Sequence, residues 1–571
     1  MLKGAMSWES LTSRDLISLP QSHKLSATHL LASPDGSKHP LENTTDHYQL
    51  DGSFSRLAGY QSPDGTSLWT RHGFSISRCA IFECFFVCQK RIQQYLAKRK
   101  IERGLRLYEQ HNQNAAVKMW RSALKSTSKR NDRFQLLGYL YQGHMDFGKY
   151  REALEYGHRQ LGISEELDSP SMRAEAYLNL ARAHERLGGL ERALSYARHS
   201  LYNECGTQCR SGGLVHLTVA RVYLEMGGFS RALEGLQGSY KIATSIGDPA
   251  LELQVYVALS ELFGRLQDTD KSAKYASKAY DLSRSLQLGD LNSSHHRAAL
   301  LRMAASLRKQ GELGDAHDYC TEATRLALIS GDQATFTRSI RIMGDIYRKK
   351  MDIDRAFRHY EQAMGTAAAL GDRMAQMEAM DGAARCLEAL RTQQKICNCR
   401  PLEFNTRLLE VASSVGAKLL VRKIRARLAL IYRSLGDEEQ FKTHERLATQ
   451  AEAALGLHCG VCNESFGLEV DSLEALPCAH ILHARCAHEV YRRRDKNSLG
   501  RSCPACKKLI NSRLHLCGDE PDEVIDIAEN NNILKISAPR SIYRSNLSLA
   551  SLSLRASSLT INSECHATSS V

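Results

Sequence analysis

The sequence predicts an all-α chain: a long array of paired helices, then a small metal-braced module, with both chain ends outside the folded part. Three observations carry this reading. A short turn-and-alanine signature returns about every 40 residues through the middle of the chain. Six of the 17 cysteines crowd, with three histidines, into the 48 residues from 459 to 506. Aromatic residues make up only 7% of the chain, which favours stacked helices over a β-sandwich.

At 571 residues the chain exceeds what one hydrophobic core supports, so several domains or a repeat array are expected. An apolar fraction of 43% with 24% charged residues excludes a wholly disordered chain. Residues 1–88 are expected to be a disordered extension rich in Ser, Thr, Gly and His. The first residues, MLKGAMSWES, lack the apolar core of a secretory signal. No run reaches the roughly 18 apolar residues of a membrane span. The longest, Cys79 to Cys88, is interrupted by Glu83. A cytosolic setting follows, with cysteines reduced or metal-bound rather than paired.

Residues 89–456 are expected to form seven to eight helical hairpins. The signature is a turn residue, an apolar residue two later, and Ala three after that: GKYREAL ending near Ala153, GGLERAL with Ala193, and GGFSRAL with Ala232. Looser copies end at Ala116, Ala273, Ala316 and Ala356, and Phe441 holds the matching place in GDEEQF. One degenerate copy is expected near Cys397, midway through the 85-residue gap from Ala356 to Phe441. Gly or Asp would end the first helix of each pair, and the small Ala would let the second helix lie close against it. A hairpin cannot bury its apolar face alone, so neighbours stack. The unit is tetratricopeptide-like, although 40 residues exceeds the usual 34.

The formal charge of +13 lies wholly in residues 91–458, since residues 1–90, 459–506 and 507–571 each balance to zero. A broad positive surface suits acidic protein partners or an anionic membrane face. Nucleic acid is not expected as a partner, because the basic residues are not interleaved with an aromatic stacking platform. No catalytic constellation is expected in the array, and His158, His184 and His359 read as surface or packing histidines. The pairs Cys205/Cys209 and Cys397/Cys399 lack further ligands. Leu420, Ile424, Leu428, Ile431 and Leu435 form one apolar stripe, the core face of a helix or a self-association seam.

Residues 457–511 hold the most specific chemistry. Cys459, Cys462, Cys478, His480, His483, Cys486, Cys503 and Cys506 follow the pattern C-x2-C-x15-C-x-H-x2-H-x2-C-x16-C-x2-C. Each short pair can aim two soft ligands at a tetrahedral Zn²⁺, and four ligands fill a structural site with no open position. The order resembles a RING-H2 finger. That family's interleaving implies one zinc on Cys459, Cys462, His483 and Cys486, and a second on Cys478, His480, Cys503 and Cys506. Closed sites exclude zinc as a hydrolytic Lewis acid. Val461 and Pro504 match positions at which ligases of this family dock a conjugating enzyme, and they serve equally for packing. The spacer before Cys503, with Arg492, Arg493 and Arg494, looks long for such a groove.

Helical repeats running into a RING-H2 finger resemble the rapsyn family of synaptic proteins, here with extended ends. The words IERGLRLYEQ, AVKMWRSALKS, AYLNLARAHERLG, IYRSLGDEEQ, HCGVCNES, LPCAHILHARC and RSCPAC carry the likeness, which covers residues 89–511. The resemblance implies a peripheral membrane scaffold on the cytoplasmic face of the postsynaptic membrane. It would cluster nicotinic acetylcholine receptors through their cytoplasmic segments, self-associate, and reach the cytoskeleton through dystroglycan-type linkers. The alternative is a RING-type ubiquitin or ubiquitin-like ligase that selects substrates with its repeats. Family members start Met-Gly and are myristoylated there, whereas Leu2 stands here. Acylation at Cys79, Cys84 or Cys88 beside the basic run Lys90–Arg103 is a substitute anchor; packing of that stretch on the first hairpin is the other reading. The tail, residues 512–571, is expected to be disordered and Ser-rich, ending in a PDZ-like Ser569-Ser570-Val571.

Overall fold

The computed structural model describes residues 78–110, 112–204, 209–286, 293–466, 472–492 and 501–510. The extension up to residue 77, the tail from 512, Cys205 and the Arg493–Arg494 part of the spacer lie outside the described residues, as do the side chains of Cys79 and Cys84.

Eighteen helices pair into nine hairpins among the described residues. They are α1 (Arg78–Glu109) with α2 (Gln113–Ser126), α3 (Arg130–Asp146) with α4 (Tyr150–Glu166), and α5 (Pro170–Arg186) with α6 (Leu190–Asn203). Next come α7 (Arg210–Met226) with α8 (Phe229–Ile246), α9 (Pro249–Arg265) with α10 (Thr269–Ser285), and α11 (Ser294–Gln310) with α12 (Leu313–Ser330). The last are α13 (Gln333–Lys349) with α14 (Ile353–Leu370), α15 (Arg373–Thr392) with α16 (Cys399–Val415), and α17 (Lys418–Leu435) with α18 (Glu438–Leu455). Most of these helices have 17 or 18 residues, and two of them plus two short turns account for the long period. No helix among the described residues is long and apolar enough to cross a membrane.

The turns explain the signature, with one revision. The residue ending the first helix is left-handed, as at Gly188 (φ 75°) and Gly227 (φ 82°), where glycine carries no Cβ penalty. Asp does not end that helix; it starts the next one. Asp268, Asp352 and Asp437 accept the N–H of Lys271, Arg355 and Gln440 at 3.0, 3.2 and 3.0 Å. Such N-caps each contribute about 1 kcal/mol. The left-handed position before Asp268 and Asp352 falls on Gln267 and Met351.

The small residue comes in the first turn of the second helix, and Ala116, Ala153, Ala193, Ala232, Ala316 and Ala356 are fully buried there. In α10 the place belongs to buried Ser272, whose hydroxyl donates to the Ser260 carbonyl at 2.8 Å, and Ala273 sits one residue past it. The degenerate copy is α16, with Leu402 at the matching position. Its signature is lost because a longer turn precedes it. In that turn Cys397 and Cys399 are bonded, contrary to the expectation that the cysteines stay unpaired. Counting this hairpin gives nine rather than seven to eight. The array also begins earlier than residue 89: α1 is helical from Arg78.

Distant hairpins return into contact. The Tyr150 hydroxyl donates to the Asp372 carboxylate at 3.3 Å across 222 residues. A Cβ on Gly148 would lie 2.9 Å from Leu370, and one on Gly227 would lie 2.7 Å from Leu455. The first helices of successive hairpins, α7 to α17, face inward around a shared cavity.

Candidate metal centre

Past α18 the described residues make two small antiparallel ladders and one helix. Strand β1 (Leu473–Ala475) pairs with β2 (Ile481–His483), α19 spans Ala484–Arg492, and β3 (Arg501–Ser502) pairs with β4 (Leu509–Ile510). The apolar core is slight: Leu476, Leu482, Ala487, Val490, Tyr491 and Ile510 surround the buried thiols of Cys459, Cys486 and Cys503.

The first and last cysteine pairs sit in the same turn. Cys459 N–H donates to the Glu464 carbonyl, and Asn463 N–H to the Cys459 carbonyl, both at 2.9 Å. Cys503 N–H and Lys507 N–H repeat this with Lys508 and Cys503, again at 2.9 Å. Asn463 (φ 59°) and Lys507 (φ 60°) take the left-handed conformation that turns the second cysteine of each pair toward the first. Ala479 (φ 63°) closes the tight turn between Cys478 and His480. His483 ends β2 and Cys486 lies in the first turn of α19, so one strand-to-helix junction presents both.

The structure gathers these eight residues into two groups. One atom from each of Cys459, Cys462, His483 and Cys486 lies within 4.8 Å of the others, and likewise for Cys478, His480, Cys503 and Cys506. This is the interleaved grouping. The donor set suits a tetrahedral cation such as zinc: Nδ1 of His483 stands 3.3 Å from Cys462 Sγ, and the buried Nδ1 of His480 has no hydrogen-bond partner. Burial pushes the Cys478 and Cys486 thiols up to about 12. Arg485 pairs with Glu464 beside the first group. Val461 and Pro504 are both half-buried on neighbouring knuckles, a Cβ on Gly460 lying 3.4 Å from Pro504.

The module is seated on the array. Leu473 N–H donates to Asp268 Oδ2 at 2.9 Å, the Lys271 ammonium donates to the Leu473 carbonyl, and Leu457, Leu473, Ala475, Ala479 and Ile481 share a core with α8 and α9. Nothing in the sequence signals this contact, because Asp268 and Leu473 are 205 residues apart.

The remaining candidates resolve into packing. His184 is buried against Tyr196, with burial pushing its imidazole down to about 4, and His359 stacks on Tyr347. His158 is exposed on α4, where partial desolvation still lowers its imidazole. Cys209 caps α7 through Gly212 N–H. In α17, Ile424, Leu428 and Ile431 are buried and Leu435 is exposed, so the stripe is chiefly a core face. Its flanking Arg422 and Arg427 pair with Glu452 and Asp381. In α1 the described end of the Cys79–Cys88 run, Val87 and Cys88, is exposed rather than packed on the first hairpin, and Ile92, Tyr95 and Leu96 beyond it are exposed too.

A family model for the rapsyn N-terminal myristoylation and linker region matches residues 92–171. The chain is 29% identical over 412 residues to the 43 kDa receptor-associated protein of the synapse of Tetronarce californica. That match covers 72% of this chain and 97% of the relative. It is likewise 29% identical to the Gallus gallus protein of the same name over 414 residues, again 72% and 97% of the two chains. Among solved structures, a Rap protein complexed with competence and sporulation factor is 14% identical over 64% of this chain and 99% of its own, with a TM-score of 0.44. The chain is therefore similar, over nearly the whole of their length, to two proteins named as receptor-associated at the synapse.

Proposed function

We propose that the chain is a non-catalytic scaffold that gathers nicotinic acetylcholine receptors at a postsynaptic membrane and couples them to the cytoskeleton. The observation that carries this is similarity over 97% of the length of proteins named as receptor-associated at the synapse and over 72% of this chain. In this reading the array binds acidic receptor segments and other copies of itself. The module, braced by two zinc ions on the eight ligands, presents the linker-binding surface. Weak contacts repeated on a membrane suffice for clustering, because each first contact raises the effective concentration for the next. The exposed apolar residues of α1 beside its basic run supply the peripheral membrane contact.

A second reading, a ligase that docks a ubiquitin-conjugating enzyme, draws on Val461 and Pro504 standing half-exposed on adjacent knuckles. One experiment weighs both. Co-expression with a nicotinic receptor in a non-muscle cell is expected to convert diffuse receptors into aggregates, and Val461→Arg is expected to leave the aggregates intact. Receptors that stay diffuse defeat the scaffold reading. Aggregates lost with Val461→Arg, while metal content is unchanged, turn the assignment toward the conjugating enzyme.

A further inference from the structure

The inner helices α7 to α17 enclose a cavity of about 440 Å³ whose wall carries nine Lys/Arg side chains and five Asp/Glu. The five carboxylates are already satisfied. Glu225, Glu261 and Glu378, close enough together to suggest a cation site, are filled by the Arg265 guanidinium, 2.6 Å from each of the first two and 3.9 Å from the third. Asp345 pairs with Arg341 at 3.0 Å and with Arg308 at 3.9 Å, and Asp381 pairs with Arg385 and Arg427.

Four cations remain. Lys309, Arg348, Lys349 and Lys423 line the cavity with no ion pair among the described residues, and Lys309 reaches only the Gly264 carbonyl. Arg308 and Arg348 each leave a buried Nε–H without a hydrogen-bond partner, whereas Arg341 Nε stands 3.2 Å from Glu378. Burial, with Arg308 and Lys423 nearby, pushes Lys309 down to about 7, and burial with Arg385 beside it pushes Lys423 down to about 8. Desolvated cations and unused N–H donors are costly unless an anion answers them. Guanidinium forks match phosphate oxygens in pairs.

We infer that this cavity is a binding site for a compact polyphosphate, such as an inositol polyphosphate. Its size suits a small molecule and is too small for a folded acidic peptide segment. The site is independent of the receptor reading, since it rests on the inner helices alone.

Titration calorimetry of the full-length protein with inositol hexakisphosphate tests it, alongside flotation on vesicles containing phosphatidylinositol 4,5-bisphosphate. The soluble probe is expected to bind and to raise the melting temperature. Arg348→Gln with Lys423→Gln is expected to weaken binding at least tenfold without lowering the melting temperature of the free protein, because each change removes an unanswered charge. Lys309→Gln is a second, separate probe of the same wall, and Lys442→Gln, on the exposed face of α18, is expected to bind like the parent. No binding of the soluble probe, or equal binding by the double variant, overturns the proposal. Vesicle binding lost in the double variant, with the soluble probe competing, assigns the same phosphate chemistry to a lipid headgroup.

Discussion

The helical array and the cysteine-rich module are built from the same chain on opposite economies of burial. The array spreads its apolar contacts over nine hairpins, so that Tyr141, Phe263, Tyr275 and Tyr360 are each fully enclosed and no single one holds the rest. The module buries few apolar side chains, and its thiols occupy the middle of its core. Order in the first is additive along the sequence; order in the second depends on whatever joins the eight ligands.

The strongest way to break this contrast is Cys503→Ser. Removing one ligand from a closed four-ligand site is expected to abolish metal at that site and, through the shared turns, to unravel most of the module. Binding free energies for structural zinc in small domains run to about 10–16 kcal/mol. Native mass spectrometry should fall from two zinc equivalents to one or none, and amide exchange should become fast across 457–510. Exchange in α3 to α6 and in α12 to α15, away from the seam with the module, should stay unchanged. Parent protein with substantially fewer than two equivalents removes the basis of the contrast.

A core substitution in the array should act locally and less severely. The Tyr360 ring lies between Gly344 of α13 and Gly382 of α15, and its hydroxyl donates to Asp345 at 2.7 Å. A Cβ on Gly382 would fall 2.1 Å from Tyr360 Cε1, inside any real contact distance. Gly382→Ala is therefore expected to cost about 1–3 kcal/mol through overpacking. The measurement is the denaturation midpoint, with two zinc equivalents retained. A loss of zinc in this variant would show that the two regions fold as one unit.

How the two regions could be read from sequence follows the same division. The hairpins were legible because their turns are local chemistry: a left-handed glycine or an aspartate cap followed within a few positions by a small buried residue, as at Gly227 to Ala232 and at Asp352 to Ala356. Before α16 the turn is longer, with Gln394 in the left-handed place, so the signature fails and α16 was anticipated only by spacing. The grouping of the eight ligands was anticipated through family resemblance, since several pairings satisfy the spacing alone. The inner charges were not legible. Arg308, Arg341 and Lys423 look like ordinary solvated positions on amphipathic helices until distant hairpins return to enclose them. The seating of the module was equally invisible, because a cap residue such as Asp268 carries no mark of a second acceptor role.

That double role gives the smallest and most discriminating effect. Asp268 Oδ1 caps α10 while Oδ2 receives the Leu473 N–H at the start of β1, so one carboxylate belongs to both regions. Asp268→Ala should lose a helix cap, worth about 1 kcal/mol, and a hydrogen bond across the seam of similar size. Asp268→Asn keeps one acceptor oxygen and is expected to recover the cap but not the seam, because its amide nitrogen cannot accept from Leu473. Amide exchange separates the two: Lys271 should be deprotected only in the alanine variant, and Leu473 in both. Equal protection of Leu473 in all three proteins would mean that the shared apolar core of Leu457, Ala475 and Ile481, rather than this carboxylate, fixes the module on the array.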